Sequence, residues 1–178
     1  MKKILIVITV ISAVAIGALI WLVGLPEKPY QLISQEYNLS ASFPDTPTVT
    51  QSVNDEGRPK TEWTVKHDHG TWVEYYDVSA TCYEEVLDPA KEFGGADDDP
   101  TLALNGVKVL KSEKTTVHAL KTGRELPAFS RISQDIPTGN ILSHFVVLDG
   151  HCVVDAGARI NRNEGPAALF MENIKMLK

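Results

Sequence analysis

Ile141-Leu142-Ser143-His144-Phe145-Val146-Val147-Leu148, then Asp149-Gly150, then His151-Cys152-Val153-Val154-Asp155-Ala156-Gly157-Ala158-Arg159 is the most legible stretch of this chain. Two apolar runs flank Asp-Gly, a pair suited to the positive φ angles of a type I′ turn. That turn has the twist of the strands it joins, so the stretch predicts an antiparallel hairpin. Just upstream, Val107–Leu120 and Arg124–Gln134 read as a second hairpin around Lys121-Thr122-Gly123. Two adjacent hairpins predict an antiparallel sheet, and the rest of the chain is read against it.

Toward the N-terminus, Tyr37, Leu39, Ala41 and Phe43 alternate with polar residues, the period of a half-buried strand. Pro44-Asp45-Thr46-Pro47 breaks it. Thr48–Val53, Thr61–Lys66 and Thr71–Tyr83 read as further strands, with polar turns at Asn54–Gly57 and His67–Gly70. In the last of them Tyr76, Val78, Ala80 and Cys82 share a face. Asp88-Pro89 and Asp99-Pro100 each pair a capping residue with a proline suited to the first helical position. One or two short helices are expected there, interrupted at Gly94-Gly95. The closing segment predicts a helix capped by Asn163, with Ala167, Phe170, Met171, Ile174 and Leu177 on one stripe and Lys175 and Lys178 at its negative end. Strands, a short helical segment, two hairpins and a terminal helix imply an α+β domain. Its antiparallel sheet is expected in an α/β/α sandwich, with the C-terminal amphipathic helix on one face and the middle helices on the other.

Ahead of this domain, Met1-Lys2-Lys3 precedes an uncharged run of 22 residues, Ile4–Leu25. As a helix that run would span roughly 33 Å, enough to cross a hydrocarbon core of about 30 Å. The expectation is an uncleaved transmembrane anchor at 1–25, a tether at 26–36 and the domain at 37–178. A signal peptide cut after Ala15 is the alternative, though it would leave an apolar new N-terminus. Lys2 and Lys3 place the N-terminus in the cytoplasm and the domain on the periplasmic or extracytoplasmic side.

Two of the 17 basic residues and none of the 23 acidic ones fall within 1–25, so the expected exported part has a net charge of −8. That balance disfavours nucleic acid and anionic headgroups as partners. The expected partners are the membrane, through the N-terminal helix, and a protein. The two cysteines, Cys82 and Cys152, can be a disulfide in an oxidising compartment or two buried thiols. Nothing in their spacing makes them neighbours, so unpaired thiols are the expectation.

Four segments resemble those of one family, in order. Phe43-Pro44-Asp45-Thr46-Pro47 resembles an F-P-G-T-P motif after a first strand, with Asp45 in place of Gly. Tyr76-Asp77-Val78 lies in an aromatic strand. Thr122-Gly123-Arg124-Glu125 resembles a G-R-E hairpin, and Phe170–Leu177 resembles a closing helix. Over Tyr37–Lys178 the chain resembles the PsbP-like family, which includes the photosystem II extrinsic subunit and a Ran-binding nuclear-import factor. Gly94-Gly95 departs from that family's middle helix. The resemblance implies a three-layer α/β/α sandwich and a binding or assembly role, with no catalytic set to carry over.

Candidate chemistry is sparse. His67 and His69, two apart on one strand, would present both imidazoles to the same side, a start toward a metal site that lacks a third ligand. Asp97-Asp98-Asp99 offers carboxylates without the pattern of a calcium loop. Arg124 and Glu125 suit an ion pair or a recognition point. Ser130, Ser143, His118, His144 and His151 supply nucleophile and base types but no nucleophile motif. There is no G-x-G-x-x-G, no P-loop and no C-x-x-C. The expectation is a non-catalytic, membrane-anchored binding or assembly module with no cofactor. The alternatives are a metal-dependent enzyme using His67 and His69, or a structural subunit of a membrane complex.

Overall fold

Seven antiparallel strands form the main sheet of the computed structural model, which describes residues 28–70, 72–94, 100–161 and 164–178. The run 4–25, the acidic cluster 97–99 and the capping residue 163 lie outside the described residues. No helix among the described residues is long and apolar enough to cross a membrane.

The main sheet holds β3 (Thr48–Val53), β4 (Pro59–Asp68), β5 (Val73–Cys82), β6 (Val107–His118), β7 (Glu125–Asp135), β8 (Ile141–Asp149) and β9 (Cys152–Ile160). Their order is β3-β4-β5-β9-β8-β7-β6. The hairpin forms, but its turn sits one residue later than read: Asp149 pairs with Cys152 and Leu148 with Val153, so Gly150 and His151 make the loop, and of the two Gly150 alone, at a φ of 64°, takes the positive φ that a type I′ turn requires of both. Its return strand β9 inserts beside β5, which makes the first and second halves of the chain one continuous sheet. The edges are β3, exposed throughout, and β6, which carries Lys108, Lys111 and Lys114. Charged edges resist pairing with further strands.

Three strands form a second small sheet, β1 (Tyr30–Ser34), β2 (Leu39–Phe43) and β10 (Lys175–Met176), in the order β1-β2-β10. Two expectations are corrected here. The segment read as a tether carries β1, paired antiparallel to β2 from Tyr30 opposite Phe43 to Ser34 opposite Leu39. The terminal helix α3 (Glu164–Glu172; α1 and α2 are given below) is shorter than the stripe suggested. Asn173 Nδ2 donates to the Leu169 carbonyl at 2.7 Å where the helix ends. Ile174 and Leu177 lie beyond it. The chain is drawn off the helix because β2 and the β6–β7 turn offer backbone partners. Leu177 N donates to Asn38 O, and Met176 O and Leu177 O accept from Leu120 N and Lys121 N.

The small sheet and α3 cover one face of the main sheet. Leu39, Ala41, Phe43, Ala167, Phe170 and Met176 join Trp63, Tyr76, Val78, Val147, Val154 and Ile160 in a single buried cluster. Each fully buried aliphatic side chain of this kind contributes about 1.5–3 kcal/mol. The middle segment forms two short helices as expected, α1 (Pro89–Glu92) and α2 (Pro100–Leu104). Asp88 caps α1, its Oδ1 accepting from Ala90 N at 2.9 Å. Phe93, just past α1, stacks on Phe129 with ring centroids 5.9 Å apart and forms a small second core with Leu148 on the opposite face.

The cysteine expectation is also overturned. Cys82 and Cys152 are directly opposed on β5 and β9 and are bonded to one another, closing a separation of 70 residues. The pairing follows from the insertion of β9 beside β5, which no local feature of either strand reports.

Candidate functional site

The β4–β5 hairpin brings together the two histidines singled out from the sequence. The strand runs on to Asp68, past the point where a turn was expected, and β5 begins at Val73. Asp68 Oδ1 accepts from Gly70 N at 2.8 Å, and Gly70 takes a φ of 78°, which only a residue without a Cβ adopts cheaply. His69 N donates to Trp72 O at 2.9 Å, closing the turn. The resulting register sets His67 opposite Glu74.

Glu74 is the third group that the sequence did not place. Its Oε2 lies 3.8 Å from His67 Nδ1 and 3.8 Å from His69 Nε2. The three donor atoms all fall within 4.8 Å of one another. His67 Nε2, on the far side of its ring, is 3.8 Å from Asp45 Oδ2. His69 stacks on Trp72 with ring centroids 3.9 Å apart. The Tyr76 hydroxyl donates to Glu74 Oε2 at 3.3 Å. Burial first, then the Glu74 charge and this hydrogen bond, push the Tyr76 hydroxyl up to about 12, so it stays a donor at neutral pH.

Tyr76 is also the link to a cleft. Its ring meets Phe170 at 5.2 Å, and Phe170 meets Phe43 at 5.3 Å. Pro29, Phe43, Pro44, Tyr76, Leu169 and Phe170 line a cleft of about 260 Å³ between β2 and α3. Leu169, on its rim, is 62% exposed. An apolar cleft with a few convergent polar groups at one end is the usual form of a ligand site.

A second polar group occupies the opposite face of the sheet. Asp77 lies against Gly157, its strand partner, where a Cβ would run into the Asp77 carboxylate. Burial, then the nearby charges of Asp155 and Glu62, push Asp77 up to about 6, against the pull of His144 and Lys60. His144 Nε2 is 2.9 Å from Asp155 Oδ1, and His144 Nδ1 is buried with no hydrogen-bond partner among the described residues.

The remaining sequence candidates do not converge. Ser143 is buried under the helical layer, while His144, the next residue, faces the other way. His118 lies beside Gly123 O, at 3.4 Å, and His151 is exposed in the β8–β9 turn. Arg124 forms an ion pair, but with Asp149 of that turn rather than with Glu125. It ties the two hairpins together. Sequence reasoning missed Glu74 because it placed the turn too early. Centring the turn on 70–71 would have set position 74 opposite position 67. No family model matches the chain, and no curated protein matches it.

Proposed function

We propose that this chain is an exported, membrane-anchored binding module without catalytic activity, which takes a partner embedded in the same membrane at the cleft between β2 and α3. The observation that carries this is the place of Pro29. It lines the cleft, and it is four residues from Leu25, the end of the apolar run. Four extended residues reach at most about 14 Å. An anchor ending at Leu25 would therefore hold the cleft close to the bilayer surface, within reach of a membrane protein's flanking segment. The Cys82–Cys152 bond supports export, because such bonds seldom persist in a reducing cytosol.

A three-layer α/β/α sandwich of the PsbP-like kind is supported by α3 on one face, α1 on the other and the Thr122–Glu125 hairpin between β6 and β7. The small sheet shares the face of α3.

The test is gel filtration of mild-detergent membrane extracts. Wild type is expected in part within a larger assembly, and Leu169→Glu, which puts a charge on the cleft rim, as the free chain. Identical elution of both would contradict the role of the cleft. Quantitative, permanent co-elution of wild type with one complex would instead favour a structural subunit.

A further inference from the structure

The geometry points to a binding site for one zinc-class divalent metal ion formed by His67 Nδ1, His69 Nε2 and a carboxylate oxygen of Glu74. This goes beyond the cleft reading and does not depend on it, since the ligand is the ion alone.

The donor set fits the ion in number, type and spacing. Zinc takes imidazole nitrogen at about 2.0–2.1 Å and carboxylate oxygen at about 2.0–2.2 Å, which puts tetrahedral donors roughly 3.3 Å apart. The two imidazole-to-Glu74 distances here are 3.8 Å. All three donors lie within 4.8 Å of one another, so closing to that spacing takes side-chain movements of up to about 1.5 Å, with the β4–β5 register kept. Two histidines and one glutamate leave a fourth tetrahedral position open to solvent, and both imidazoles are partly exposed.

The surroundings are those of a metal site rather than of three chance neighbours. A ligating histidine usually donates its other ring N–H to a carboxylate, which fixes the ring and its tautomer. Asp45 is placed for this role, 3.8 Å from the His67 nitrogen that faces away from Glu74. Trp72 stacks on the His69 ring and restrains its plane. The Tyr76 hydroxyl holds Glu74. So each of the three donors has an outer contact that orients it, and each contact comes from a different part of the chain or turn. Two imidazole nitrogens and one oxygen select zinc, copper or nickel over calcium and magnesium, which prefer all-oxygen shells. The competing account is that the histidines, when protonated, simply pair with Glu74 and Asp45.

Zinc titration separates the two. The full chain, purified in mild detergent without an affinity tag and stripped with chelator, is titrated with zinc by calorimetry in excess calcium and magnesium. One equivalent bound at micromolar or tighter affinity is expected. His67→Ala, His69→Ala and Glu74→Gln should each abolish that equivalent, and Asp45→Asn should weaken it by about 10- to 100-fold. The double variant His118→Ala/His151→Ala should bind as wild type does. Near-ultraviolet circular dichroism identifies any variant that fails to fold, and the isosteric Glu74→Gln keeps the test decisive if a histidine variant does. No stoichiometric zinc binding by wild type overturns the proposal. So does binding that survives loss of His67 and His69 in a folded chain, or that calcium displaces.

Discussion

Asp77→Asn should stabilise the protein at neutral pH and leave it unchanged in acid. Asp77 sits mid-strand on β5 against Gly157, near Asp155 and Glu62, and its folded-state value is about 6 against an ordinary 3.8. The folded chain therefore holds a proton on Asp77 between about pH 4 and 6 that the unfolded chain has already lost. Wherever the folded state binds more protons, stability falls as pH rises. Below about pH 3.8 both states are protonated and Asp77 costs nothing; above about 6 the full penalty stands. A rise from 3.8 to about 6 corresponds to about 3 kcal/mol. Asn has the size of the protonated acid and no charge to desolvate. At pH 8 the variant should be more stable by about 2–3 kcal/mol, and at about pH 3, below both values, the two should coincide. Denaturant unfolding of the full chain in mild detergent, followed by near-ultraviolet circular dichroism at both values, measures this. An equal difference at both pH values, or a variant less stable at pH 8, would refute the reasoning. It would mean that the carboxylate makes a compensating interaction as an anion.

Three further outcomes follow from the packing. Gly157→Ala should destabilise the sheet by about 1–3 kcal/mol, because its new methyl group meets the Asp77 carboxylate; the loss should shrink when paired with Asp77→Ala, and an unchanged loss would place the clash elsewhere. Phe170→Ala should cost about 3–5 kcal/mol in unfolding free energy, since the ring is buried between Phe43 and Tyr76; a shift below about 0.5 kcal/mol would mean that α3 is not docked there. Cys82→Ser/Cys152→Ser should lose about 4 kcal/mol by the chain-entropy account of a 70-residue loop; a loss under about 1 kcal/mol would show that the unfolded chain is already restrained.

The sequence was most legible where interactions are local. The hairpin at Gly150, the alternation of Tyr76, Val78 and Ala80, and the Asp88 cap all depend on neighbours within a few residues, and each appears in the structure, the hairpin turn one residue later than read. It was least legible where a partner comes from far along the chain. The strand at Tyr30–Ser34 buries only Leu32, too little to show a period, and exists because β2 offers an edge. The last residues leave their helical stripe for the same reason. The disulfide needs β9 beside β5, a neighbour relation set by the whole sheet. In the candidate metal site, His67 and His69 were visible as a pair. Glu74 depended on a hairpin register that a shift of the turn conceals, and Asp45 on the approach of the β2–β3 loop to β4.

Photo-cross-linking in intact membranes tests the central proposal most directly. A photoreactive residue replaces Leu169 on the cleft rim or, as a control, exposed Val53 at the end of edge strand β3. The account predicts a discrete adduct with one membrane protein from position 169, absent from position 53 and lost when Pro44 in the cleft is also replaced by a charged residue. Adducts of equal yield from both positions, or none from position 169 in a folded and membrane-bound chain, would contradict it.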